Sequence, residues 1–519
     1  MNPLDILLLV PLAGFLLTLL LPKSGTGPIR VFALIVSTIA FLMSVGMAVG
    51  YKSGAPGQQF VTDLIWIQNP NIHYHVGLDG LSLWLVVLST FLTPFAILLS
   101  WTSIKKNVKN FFALMLLLEF ALIGVFSALD LVIYYGFWEL TLIPMYLFIG
   151  VWGGEGRIAA TMKFFLYTFA GSVLMLAGIL FLANRAGTTN YSAILEAVNS
   201  GKLALSSTEE LLLFLGFFIA FAIKLALFPL HTWLPGSYTA APAAATMMLS
   251  AVMAKMGTYS IMRFCLPFFP SAARRCATVI IVLAIIGIIY GALIALVQPN
   301  IKRLIAYSSM SHIGFVVLGI FSFTQLGLDG AVYQMLCHGV TTGCLFLMIG
   351  FLEETRGTVE IAEYSGLASS APWFSTAFLI ATLASIGLPI LNNFVGEFLI
   401  LQGAAQAYFP WAVWAAVGMI LSACYMLWMY QRVFYGEARD HISDMNVREW
   451  VCVVPLIAVM FWMGIGSQTF LPTISATNTK LLEQSRTNEP FRVKLSAPGS
   501  AGPRPVPFPL QAKDTAHAR

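Results

Sequence analysis

Residues 211–231 read LLLFLGFFIAFAIKLALFPLH, an apolar run broken only by Lys224, Pro229 and His231. A bilayer core is crossed by about 20 such residues in a helix. A lysine inside that core costs at least about 2.5–3.5 kcal/mol on insertion scales. Proline removes one helical hydrogen bond and clashes with the preceding turn. The stretch therefore predicts a transmembrane helix that breaks or kinks near Pro229. Lys224 falls near the C-terminal end of the first half, where the partial negative charge favours an ammonium. His231 follows Lys224 at i+7 and would share its face on a continuous helix.

The rest of the chain has the same character. Of 519 residues, 58% are hydrophobic and 10% charged, and the mean hydropathy is +0.83. A soluble domain carries about 25% charged residues. Further runs at 4–22, 31–50, 81–101, 111–129, 131–150, 158–184, 242–264, 277–298, 305–323, 330–352, 373–401, 411–435 and 450–471 predict an all-α polytopic membrane protein of about 14 transmembrane helices. The first run follows no basic segment and shows no cleavage pattern, so it reads as a helix that stays. The net charge of +5 is scattered through loops and the C-terminal tail and forms no basic face, which argues against nucleic acid. The six cysteines lack metal-ligand spacing and read as packing residues.

Twelve Lys and Arg residues lie in one set of short loops, Lys23, Lys302, Arg303, Arg439 and Arg448 among them, against six in the other set, including Arg263, Arg274 and Arg275. The positive-inside rule then puts both termini on the outer side. Residues 52–80 would form a polar outer loop with a short strand at 63–67, and 353–372 an acidic inner loop. The tail from about Asn478 to Arg519 reads as disordered.

Charges well inside the spans need explaining, since a buried charge is expensive. Lys163, near a helix start, can snorkel, and Lys302 and Arg303 read as flanking charges. Glu119, Glu139, Lys224, Lys255 and Glu397 lie deep within spans, and His231, His312 and His338 lie in or at the ends of apolar helices. Ion pairs that merely locked helices together could be replaced by apolar packing at no insertion cost. Imidazole titrates near neutrality, so histidines beside lysines and carboxylates point to a proton relay. The histidines lie on separate spans without metal-ligand spacing, so no metal is expected.

A second interruption lies in IGLPILNNFVGE (386–397), where Gly387, Pro389, Asn392 and Asn393 precede Glu397. Asn392 or Asn393 could cap the second half-helix. Glu397 would then sit in or near its first turn, where the positive dipole end favours a carboxylate. The two breaks are five spans apart, as expected of two inverted five-helix repeats, spans 4–8 and 9–13, each with a broken helix. The organisation expected is N-terminal helices 1–3 with the outer loop at 1–110 and a first repeat at 111–265. A second repeat at 276–435, a C-terminal helix at 436–475 and a tail at 476–519 complete it.

The stretches HVGLDGLSLWLVVLST (75–90), FWELTLIPMYLFIGVWGG (137–154), KFFLYTFAGS (163–172), KLALFPLHTWLP (224–235), AKMGTYSIMRF (254–264), IKRLIAYSSMSHIGFVVLG (301–319) and NFVGEFLIL (393–401) resemble the antiporter-like subunits of respiratory complex I, most closely the chain M or subunit 4 type. The resemblance implies proton translocation driven by distant quinone reduction. It implies that Glu139 pairs with Lys224, and that protons pass Lys255, His312 and His338 to Glu397. Glu119 and His231 are further candidates. A buried lysine loses proton affinity by desolvation and regains it from a nearby carboxylate, which is what such a pair needs. No cofactor is expected in this chain; NADH, FMN, iron–sulfur clusters and quinone would lie in partner subunits. Expected partners are other membrane-arm subunits, including related antiporter-like chains, within the inner (plasma) membrane. Alternatives are a subunit of a multisubunit cation/proton antiporter or membrane-bound hydrogenase, or a divergent structural paralogue with impaired pumping. Two departures bear on this. Gly236, Tyr238 and Ala240 stand where the family usually has Asp, His and Glu, and Ile390 follows Leu388-Pro389 where Gly is usual. The first puts in doubt the polar connection at the cytoplasmic end of the first half.

Overall fold

The computed structural model describes residues 2–22, 25–54, 57–68, 71–438 and 442–485. Lys23 and Arg439, used above to orient the chain, and the tail beyond residue 485 lie outside the described residues. Among those described, eleven helices are long and apolar enough to cross a membrane. The remaining expected spans are the ones that the backbone interrupts or bulges.

The helix Ser207–Lys224 ends at the lysine, and the chain resumes as the short helix Leu234–Ala240. The expected span 373–401 divides into Pro372–Ser385 and Asn392–Ala407. Between these, residues 243–268 form one helical course containing two wide π-helical turns, Leu249–Met253 and Ile261–Cys265. A π turn marks a residue inserted into the i→i−4 ladder, and such turns gather at functional sites. Lys255 lies between them.

A third interruption went unread in the sequence. The span Leu131–Trp152 is divided at Thr141 into Leu131–Leu140 and Leu142–Trp152. Pro144 is the cause, because it cannot donate to the carbonyl of Leu140 four residues back. Glu139 and Thr141 flank this division.

Two helices form the centre. Ile301–Phe321 and Gln325–Arg356 are enclosed by protein along their whole apolar windows, whereas the first two helices, Pro3–Leu20 and Thr26–Gly50, leave most of theirs exposed. The exposed residues there, Leu16, Leu17, Ile35, Leu42 and Val49, are the lipid face expected of peripheral spans. The loop at 52–80 holds a hairpin rather than a single strand. Gln59–Ile67 pairs antiparallel with Ile72–Leu78, setting Asp63 opposite His75. Asp130 ties this hairpin down. Its carboxylate accepts from the Val132 and Ile133 amides as a helix cap, and also from the His73 amide and the Thr189 hydroxyl.

Several expectations need correction. Lys302 is not a flanking charge: its side chain is 1% exposed and its ammonium lies 2.6 Å from Glu353. Arg263 is not a loop residue either. It sits in the second π turn and binds Asp79 through both guanidinium nitrogens, at 2.6 and 2.7 Å. Arg274 and Arg275 lie in the opening turns of Pro270–Leu296, a helix that begins before its expected start at 277. Residues 478–484, assigned above to a disordered tail, continue the helix Leu471–Gln484. There Asn478 is buried and donates to Asp329.

Candidate proton-transfer site

The second interrupted helix is built by side chains other than those expected. Asn392 does not cap the helix Asn392–Ala407, whose N-cap is Leu391 without a side-chain bond. Asn392 instead donates to the Cys337 carbonyl at 2.9 Å and to the Thr341 hydroxyl at 3.1 Å, fastening the break to the central helix. Glu397 lies in the second turn, near the first as expected. Gly396 permits the approach that puts it there, since a Cβ at that position would lie 2.4 Å from the Gln334 amide oxygen.

Glu397 is buried, and one of its oxygens meets His312 Nδ1 at 2.8 Å and accepts from Gln334 Nε2 at 3.1 Å. The ring of His312 faces that of His338, with centroids 5.5 Å apart. His338 Nδ1 lies 2.6 Å from Lys255 Nζ, which also donates to the Ser250 carbonyl at 2.7 Å. The two imidazoles leave both Nε2 atoms without a protein partner. Four groups named from the sequence, on four separate helical segments, thus form one buried line: Lys255, His338, His312, Glu397. Gln334 was missed. Its signal was available, because it precedes His338 by four residues and shares its helix face.

The wide turn before Lys255 has a direct role in this geometry. The Ser250 carbonyl lies within Leu249–Met253, and its oxygen accepts from the ammonium five residues on. Gly257 then brings this helix against the end of Ser207–Lys224, where a Cβ would lie 2.6 Å from the Phe221 carbonyl oxygen.

Lys224 occupies a different setting. It is buried at the end of its helix and donates to the Thr141 hydroxyl at 3.4 Å, with the rings of Trp138 and Phe164 5.3 and 5.9 Å from its nitrogen. Among the described residues no ion pair joins it to Glu139. That carboxylate is half-buried, keeps one oxygen without a partner, and acts on Lys224 only through space. The direct pair implied by the resemblance is therefore absent from this conformation, in which Thr141 stands in the acid's place. Glu119 is fully buried with both oxygens unpartnered and joins neither Glu139 nor the line at Lys255. His231 is buried against Phe228 and Tyr290, its Nδ1 unpartnered, at the wall of an open cavity of about 540 Å³ that Lys163 also lines.

Residues 128–422 match the family described as NADH:quinone oxidoreductase/Mrp antiporter, TM. NADH-quinone oxidoreductase subunit M of Rhodobacter capsulatus is 42% identical over 480 residues, 89% of this chain and 93% of that one. NADH-ubiquinone oxidoreductase chain 4 of Marchantia polymorpha is 39% identical over 485 residues, 92% of this chain and 97% of that one. A chain in the structure of respiratory complex I from Thermus thermophilus with bound NADH is 32% identical, with a TM-score of 0.84 over 92% of this chain and 99% of that chain. From the breadth of these matches, the chain belongs to the NADH:quinone oxidoreductase/Mrp antiporter transmembrane family, as an antiporter-like subunit of the M or chain 4 type.

Proposed function

We propose that this chain translocates protons as a membrane subunit of a complex I type NADH-quinone oxidoreductase. The observation that carries the reading is the buried line from Lys255 through His338 and His312 to Glu397. Each member both binds and releases a proton, and adjacent members lie within hydrogen-bond distance or within the span of one bridging water. Glu397 receives the proton and Gln334 holds its carboxylate in register. Lys224 supplies the switching element. Rotation of its ammonium between Thr141 and Glu139 changes how strongly it holds a proton, and the divided helix at Thr141 lets Glu139 move relative to it.

The driving chemistry lies elsewhere in the assembly. Partner subunits hold NADH, FMN, iron–sulfur clusters and quinone, while this chain contributes no redox centre and no metal. Its partners are other membrane-arm subunits, including related antiporter-like chains, and the lipid bilayer. The chain is a multi-pass protein of the inner membrane, with both termini on the outer side. Arg263, bound to Asp79, no longer counts against that orientation, and Lys302, buried on Glu353, no longer counts for it, which leaves eleven against five. The two broken helices belong to inverted repeats at 111–265 and 276–435. Lys255→Met and Lys224→Ala, each in an assembled complex in sealed vesicles, should cut proton uptake per NADH oxidised. Unaltered uptake in both would overturn the reading.

A further inference from the structure

The family's polar residues are missing at Gly236, Tyr238 and Ala240, yet this region is not apolar. Tyr238 is fully buried, and its hydroxyl has no hydrogen-bond partner. The Ser250 side chain lies close enough to interact with it. Ser250 in turn meets the Ser309 hydroxyl at 3.2 Å, and its carbonyl holds Lys255 at 2.7 Å. At the other end, Lys302 donates to the carbonyl of Ala241, which terminates the short helix bearing Tyr238, at 3.4 Å. Lys302 pairs with Glu353, whose side chain is 37% exposed. Glu353, Glu354, Ala240 and Ala241 line an open cavity of about 820 Å³. Ser309 is seven residues beyond Lys302 on one helix, two turns along the same face.

We propose that Tyr238 and Ser250 form the hydroxyl link by which protons from this cavity, taken up at the Lys302–Glu353 pair, reach Lys255. The inference rests on the proton-transfer reading above and gives that relay its intake. Only O–H and N–H bonds change. Tyr238 accepts a proton from the Lys302 side as its own passes to Ser250, the Ser250 hydroxyl proton passes by one bridging water to neutral Lys255, which rests on the Ser250 carbonyl, and Lys302 is reprotonated from solvent through Glu353. One proton enters for each one that leaves by Glu397. An unpartnered phenol, buried on the short helix whose closing carbonyl holds the Lys302 ammonium, fits this step and has no packing purpose that phenylalanine would not serve.

The test is made in the assembled complex, reconstituted in sealed vesicles, with proton uptake measured per NADH oxidised. Tyr238→Phe keeps the ring against Phe346 and removes the hydroxyl, and should lower proton uptake per NADH by this chain's share, to the level that Lys255→Met leaves. Tyr238→His should restore uptake, which a purely structural role for the phenol would not predict. Ser250→Ala removes one small hydroxyl, and it decides the matter if Tyr238→Phe fails to assemble. Full uptake by Ser250→Ala and Tyr238→Phe, with Lys255→Met inactive, overturns the link and leaves the relay standing. Full uptake by Lys255→Met overturns both.

Discussion

Removing either partner of the Asp79–Arg263 pair should destabilise the protein far more than removing both. The guanidinium and carboxylate side chains are 6% and 9% exposed, so neither charge is well hydrated. Breaking a buried pair on one side costs about 3–5 kcal/mol, whereas replacing both members with apolar residues is often neutral. The two single losses are unequal. In Arg263→Met, one Asp79 oxygen keeps the Leu81 and Ser82 amides and the Ser82 hydroxyl, which places the cost near the lower limit of about 3 kcal/mol. In Asp79→Leu, the guanidinium keeps only the Tyr259 hydroxyl and the faces of Tyr191 and Tyr259, so the cost lies nearer about 5 kcal/mol. The double variant should recover most of either loss, so that the coupling between the two substitutions approaches the sum of their single costs. Thermal unfolding of the purified proteins in one detergent measures the order: parent, then double variant, Arg263→Met and Asp79→Leu. Simple addition of the two single effects in the double variant would refute the assignment of these charges to one another.

Three further outcomes follow from single positions. Ile390 holds φ of 82° with its side chain 61% exposed, a conformation that costs a β-branched residue about 1–3 kcal/mol, so Ile390→Gly should raise the unfolding temperature. Gln334→Leu removes a hydrogen bond to a charged acceptor, worth about 1.5–3 kcal/mol, and should slow proton uptake while leaving assembly intact, as co-purification of partner subunits would verify. His75 lies in the hairpin of residues 59–78, where burial lowers its proton affinity and Asn190 donates to its Nδ1. The unfolded chain then binds the extra proton, so the hairpin's contribution is present above pH of about 6.5 and is lost as pH falls below it. Protease resistance of this hairpin measured against pH should show this decline, and His75→Gln should flatten it.

The spans were legible because apolar length is set by bilayer thickness, and the two main breaks because Pro229 and Pro389 advertise themselves. Lys255, His338, His312 and Glu397 could be named from insertion cost alone, but their order could not. That order depends on Gly396 and Gly257 admitting close backbone contacts, which no single residue announces. Lys302 was misread because a charge beside a helix start ordinarily meets water, and only tertiary packing brought Glu353 over it. Arg263 was misread for the same reason, its partner Asp79 being 184 residues away in sequence. The divided helix at Thr141 was missed although Pro144 was in view, since proline within a membrane helix often produces only a kink. The fate of Asn392 shows the limit of local rules: a good capping residue was drawn off to the central helix by a better-placed carbonyl.

The two wide turns around Lys255 make chain length itself a control on the relay. Each α-helical residue advances the side-chain direction by about 100°. Deleting a single residue from 249–253 would restore an ordinary turn there. It would swing the lysine by roughly a quarter of a circle relative to everything N-terminal to it. The ammonium would leave both the Ser250 carbonyl and His338, and the line would be cut with every polar side chain still present. Variation among such chains can therefore tune or silence proton passage by insertion and deletion, which comparison of residue identities alone would overlook.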